Sequence, residues 1–229
     1  MAGSNTPHTL EDFELELQSI RGAVLSMASL SLEMVDEVGS LLSHDINPSA
    51  SKAKQHEKNL DQLEAEVDQQ ARIIITRYQP VATDLREVTG GVRMATDFEQ
   101  IGDDARRLLL HAKDLQAWIA YDSVGVLQSQ WSLSHQLLVD ACDAFNAHDA
   151  EKGAVIGDSK SKVRSLATVS REAISTSVEK NHSLAPSFVE AVNAIHALEN
   201  IGLHACSLGE AVVFIETSTD RRDRRSREC

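Results

Sequence analysis

Glu64 and Asp68 stand four residues apart, and so do Glu99 and Asp103. On a helix that spacing places both acids of a pair on one face. Leu63, Val67 and Phe98 each precede one of these acids and belong to apolar stripes, so both pairs flank a seam on the same side. If the two helices pack together, four carboxylates converge on one groove. Such a group wants a cation, and oxygen-only ligands suit magnesium, manganese, calcium or iron better than zinc or copper. A plainer chemistry is open to the same residues. Arg72 lies four beyond Asp68 and Arg107 four beyond Asp103. Ordinary i,i+4 ion pairs then account for both faces without a metal.

The second half of the chain repeats part of this pattern. Glu99-Gln-Ile-Gly102 returns as Glu199-Asn-Ile-Gly202, but Leu203 stands where the first copy has Asp103. Aligning Leu60 with Val163 puts Ala167 and Arg171 at the places of Glu64 and Asp68. The second copy has therefore lost most of its carboxylates. The phrase is expected to survive for packing, with Ile201 and Gly202 facing neighbours. His204 is one residue out of register to replace the missing acid. Glu179-x-x-His182 has a di-iron spacing without a second copy, and His196, Glu199 and His204 share one side of a helix. No phosphate-binding loop, nucleophile elbow or H-E-x-x-H motif is present, and no nucleophile stands beside a base.

Helices must position these residues. Phe13, Leu17, Ile20, Val24, Met27, Met34, Val38 and Leu41 recur at 4-3-4-3 spacing, with Ser31 as the one polar member. That is a heptad-like seam. Asn47 and Pro48 are read as N-cap and first residue of a second helix carrying Leu60, Leu63, Val67 and Ile74. A third helix is expected from Val81 to Leu115, with Gly90-Gly91 inside it for close packing or a kink. The plan then restarts: a fourth from Val124 to Ala147, a fifth from Asp149 to Glu179, and a sixth from Ser187 to Glu216. A second echo, His44-Asp45 and His148-Asp149, and prolines placed only at helix starts (Pro7, Pro48, Pro80, Pro186) support a duplication. The fold class is all-α, two tandem antiparallel three-helix bundles, over residues 1–118 and 119–217, followed by a basic, disordered tail at 218–229.

Composition narrows the function. The formal net charge of −13 repels phosphate backbones and argues against nucleic-acid binding. Asp220 to Cys229 holds five Arg against two Asp and one Glu. This is a solvated end, or a contact for an anionic membrane surface. Cys142, Cys206 and Cys229 are far apart and odd in number, which gives no zinc or disulfide framework. Cys142 and Cys206 fit as small buried residues. No signal peptide and no apolar run near the ~20 residues of a membrane span are read from the sequence. A cytoplasmic protein is expected.

Against this background, "RYQPVATDLREV" (Arg77 to Val88) resembles the Pro-x-x-x-Asp-Leu-Arg signature of the PhoU family. "DFEQIGDDA" is similar to that family's acidic metal motif, and "HEKNLDQLEAEVDQQ" to its second helix. The resemblance spans Phe13 to Glu216 and is looser in the second half. It implies a non-enzymatic regulator of phosphate uptake and phosphate-starvation signalling. Such a protein would be an adaptor between a phosphate ABC transporter ATPase and a sensor histidine kinase. It would meet the membrane only through partners, as a homodimer or higher oligomer. It also implies a divalent or trivalent metal (iron, manganese, magnesium or zinc) on Glu64, Asp68, Glu99 and Asp103, with Glu199 a remnant of a second site. Asp84 and Arg86 match the signature, with a structural cap or ion-pair role. Two alternatives stay open: a helical adaptor without metal or phosphate role, and a carboxylate-metal enzyme in a bundle.

Overall fold

A computed structural model of the chain describes residues 6–43, 49–119 and 124–220. Among them there is no strand. The order is α1 (Thr6–Leu42), α2 (Ala50–Tyr78), α3 (Ala82–Leu110), α4 (Ala112–Ile119), α5 (Val124–Ala147), α6 (Ala150–Gly157), α7 (Lys160–Lys180) and α8 (Phe188–Thr217), with a 3-10 segment, His182–Ser187, leading into α8.

The apolar seams become the core. Val24, Met27, Met34, Val67, Ile74, Met94, Phe98, Leu198 and Ile201 are all completely buried. Helix α1 packs on α2 and α3, while α5, α6 and α7 pack on α8. The two groups meet along α3 and α8, and again along α1 and α5. Both meetings are antiparallel. Arg86 of α3 donates to the Ile215 carbonyl of α8 at 3.1 Å, and further along Asp97 meets His204. Trp131 of α5 donates to the Val35 carbonyl of α1 at 2.8 Å, while Arg21 reaches the Phe145 carbonyl at 3.2 Å.

The repeat seen in sequence is a repeat of packing. Buried Ser31, the polar member of the first seam, donates to the Phe98 carbonyl at 3.1 Å. Ser134 does the same to Leu198 at 2.7 Å. A Cβ on Gly102 would overlap Leu60, and one on Gly202 would lie 3.0 Å from Val163. The glycines let the second helix of each half approach the third, which explains why Ile-Gly persists in both copies. Gly90 and Gly91 act alike. A Cβ on Gly90 would overlap Ile215, and one on Gly91 would come 2.8 Å from Ile20. The pair lies within an unbroken helix and marks close packing rather than a kink.

Several boundaries differ from expectation. The third helix stops at His111 and α4 starts afresh, so the stretch to Leu115 is not continuous. The fifth is two helices. Asp149 caps α6 by accepting from the Lys152 amide, and Asp158-Ser159, weaker helix formers than Ala, separate it from α7. Ser49 caps α2 by accepting from the Lys52 amide, in place of the expected Asn47. Asn47, Pro48 and the His44-Asp45 echo lie outside the described residues, as do the tail beyond Asp220 and Cys229. Pro186 falls inside the 3-10 segment rather than at the start of α8.

The stretch His182–Thr217 is, by length and composition, apolar enough to cross a membrane, contrary to expectation. In the fold, 61% of its most apolar window is buried, as befits the central helix of a bundle. Cys206 is fully buried. Cys142 is half-buried rather than fully buried, and burial pushes its thiol up to about 12.

Candidate functional site: two acidic faces and their counter-ions

Glu64 and Asp68 lie on α2, and Glu99 and Asp103 on α3, with the two helices packed together. Glu64 accepts a hydrogen bond from Thr96 of α3 at 2.9 Å. Glu99 accepts from Gln100 at 2.6 Å. Burial holds the Glu99 carboxyl above its ordinary range, and the nearby charges of Glu64, Asp103 and Asp61 push it further in that direction. Glu99 thus feels three other acids of α2 and α3, among them Asp61, which the i,i+4 spacing does not pick out.

The other two acids have counter-ions. Arg72 is 3.3 Å from Asp68. Asp103 is held by Arg106 at 2.6 Å and by Arg107 at 2.8 Å. Burial raises the Asp103 pKa, but these two arginines outweigh it and keep the carboxyl below its ordinary range. Arg106 also lies 3.3 Å from Glu57 on α2. Both i,i+4 ion pairs expected from the sequence are formed, and Arg106 is an added partner at i,i+3. Among the described residues no three His, Cys, Asp or Glu side chains converge at metal-ligand spacing. As positioned, the four carboxylates are not a coordination shell, although their oxygen-only chemistry suits a hard cation.

In the second half, Arg171 of α7 is 2.9 Å from Glu199 of α8, whose side chain is only 13% exposed. Arg171 occupies the register of Asp68, and Ala167 that of Glu64. The second copy has thus exchanged an acidic face for an interhelical ion pair. Sequence spacing missed this pair because its members are on different helices. The alignment of Leu60 with Val163, which the glycine contacts support, sets Arg171 in the place of Asp68 and is the one signal in the sequence for it.

His204 does not stand in for the missing acid. It points across the α3–α8 interface and lies 2.8 Å from Asp97. Nearby, Asp104 is 2% exposed, with Arg107 3.1 Å away. Burial raises its pKa against the opposing pull of Arg107, His204 and a hydrogen bond from Asn200. This polar contact links the two halves. Glu179 and His182 are both exposed, and His196 faces a groove with Arg107 and His111. Arg86 ties the start of α3 to the last turn of α8, and also donates to Thr83 at 3.1 Å. Asp84 sits in the first turn of α3, where a negative charge favours the helix N-terminus.

The PhoU domain family matches residues 24–110, a span that ends with α3. The chain is 27% identical over 224 residues to the phosphate-specific transport system accessory protein PhoU homolog of Pseudomonas putida, covering 96% of this chain and 86% of that one. It is 28% identical over 225 residues to the Pseudomonas aeruginosa protein described in the same words, covering 96% and 91%. The fold is similar to the crystal structure of PhoU from P. aeruginosa, with a TM-score of 0.84 at 23% identity over 90% of this chain and all of that one. The PhoU domain is thus matched over residues 24–110, and the similarity to PhoU accessory proteins, with the Pro80 to Arg86 signature and the duplicated three-helix packing, runs along nearly the whole length of the chain.

Proposed function

We propose that this protein is a non-enzymatic regulator of phosphate uptake and phosphate-starvation signalling. It acts in the cytoplasm as an adaptor between a phosphate ABC transporter ATPase and a sensor histidine kinase. The observation that carries this reading is the similarity, over 96% of the chain, to proteins named as accessory to the phosphate-specific transport system. Its mechanism is differential binding: helical faces engage one state of each partner and bias that state. It works as a homodimer or higher oligomer and reaches the membrane through its partners. Deleting the gene should derepress phosphate-starvation genes in phosphate-rich medium. Unchanged expression in the deletion strain would overturn the reading.

A second part of the proposal concerns Glu64, Asp68, Glu99 and Asp103. These carboxylates hold a divalent or trivalent cation (iron, manganese, magnesium or zinc) in the first half, and the Glu199 site no longer does. Burial and, after it, the like charges around Glu99 support this, because a bound cation would favour the ionised carboxylate. Binding through all four acids requires Asp68 and Asp103 to leave their arginines. Those ion pairs favour the competing reading, an adaptor with no metal. Elemental analysis of natively purified protein beside an Asp103→Ala variant separates the two. About one metal or more per chain, lost in the variant, supports the site, whereas no metal in either leaves regulation to the helical surface.

A further inference from the structure

The register that pairs Leu60 with Val163 also sets Met27 against Gln130, Val67 against Ser170 and Ile74 against Ser177. The three first-half residues are apolar and completely buried. Gln130 and Ser170 are just as buried, and Ser177 is 8% exposed. Ser177 returns its hydroxyl to the Ala173 carbonyl at 2.8 Å. No protein group hydrogen-bonds either amide atom of Gln130, nor the Ser170 hydroxyl. A buried polar group without a protein partner opposes folding where an apolar side chain would favour it.

Two of these three polar positions are on α7. Its buried residues are Val163, Ala167, Ser170, Ile174 and Ser177, against Ala53, Leu60, Val67, Ala71 and Ile74 on α2. Helix α7 is also shorter, at 21 residues against 29, and is separated from α6 by the break at Asp158-Ser159. When a helix lifts from a bundle, apolar contacts are lost but stranded polar groups regain water. The apolar loss is smaller for α7, whose buried set includes Ser170 and Ser177 where α2 has Val67 and Ile74, while each helix carries one unpartnered polar atom, Ser170 Oγ on α7 and Gln70 Oε1 on α2.

We propose that α7 is a detachable helix. The second half opens locally by release of α7 from α5 and α8, while α2 stays seated on α1 and α3. Opening of this kind is drawn from the least stable part of a fold. It withdraws Arg171 from Glu199 and bares Ser170, so the second half presents a face in the open state that it hides in the closed one.

Hydrogen exchange followed by mass spectrometry on the full chain tests this. The slowest amides of α7 should exchange at least tenfold faster than those of α2. Replacing the stranded polar groups with their first-half counterparts, Gln130→Met with Ser170→Val, should slow α7 exchange tenfold or more. Rates in α2 should stay within twofold. If the double variant loses helical signal, Ser170→Val alone decides, with a smaller slowing confined to α7 and the segments it packs on. Equal protection of α7 and α2 in the parent overturns the proposal. So does an unchanged α7 rate in a folded double variant or in Ser170→Val.

Discussion

Replacing Arg171 with Leu tests whether Glu199 is satisfied by a guanidinium. The pair is separated by 2.9 Å, with side-chain exposures of 39% for Arg171 and 13% for Glu199. Leucine keeps much of the apolar stem but strands the carboxylate. Breaking a fully buried pair costs about 3–5 kcal/mol, and an exposed pair is worth about 0–1 kcal/mol. Glu199 is mostly buried and Arg171 is not, so we expect a loss of about 1–2 kcal/mol. For a chain of this size each kcal/mol moves the midpoint by about 2–4 °C, which gives a fall of about 2–8 °C. Adding Glu199→Gln to Arg171→Leu removes the stranded charge and should return most of the loss. Thermal unfolding of parent, both single variants and the double, followed by circular dichroism, gives the coupling energy directly. If Arg171→Leu melts within about 1 °C of the parent, or the double variant is as unstable as the sum of the singles, the counter-ion account of the second copy is wrong.

Gly102→Ala would drive a methyl into Leu60 and should cost about 1–3 kcal/mol; adding Leu60→Val should recover part of it, and a denaturation curve identical to the parent would remove the packing explanation for the repeated glycine. Trp131→Phe loses the 2.8 Å bond to the Val35 carbonyl and should cost about 0.5–1.5 kcal/mol in urea unfolding, more if the carbonyl is left dry. Glu99→Gln should show a pH-dependent gain. The folded carboxyl holds its proton more tightly than the unfolded one, so parent stability falls as pH rises through a window starting near pH 4.3. The variant should then be the more stable near neutral pH and lose that advantage below the window; an advantage that persists in acid would point to packing instead.

The fold was legible because its signals are local. A long seam at helical spacing needs only the sequence to be seen, and two copies of it imply a duplicated bundle. Glu64, Asp68, Glu99 and Asp103 could be placed on two faces for the same reason, and the Arg72 and Arg107 pairings follow from helix geometry alone. The breaks at His111 and Asp158-Ser159 were harder to see. Apolar periodicity continues through both, and a short interruption alters few stripe positions.

What the sequence determined by itself was the helical character of the chain, the repeat and the family signature, all of which depend on residues near one another in the chain. What the tertiary structure decided was which charges meet. Arg171 with Glu199, His204 with Asp97 and Arg86 with the end of α8 join different helices. Spacing along one helix cannot register such pairs, because they depend on how deeply two helices interlock. The glycines show the physical reason. Gly90 and Gly102 are costly to their own helix and have their use only when Ile215 and Leu60 arrive from elsewhere in the chain. The same packing buries Gln130 and Ser170, so which half of the duplication is easier to open was settled by the core rather than by the pattern that built it.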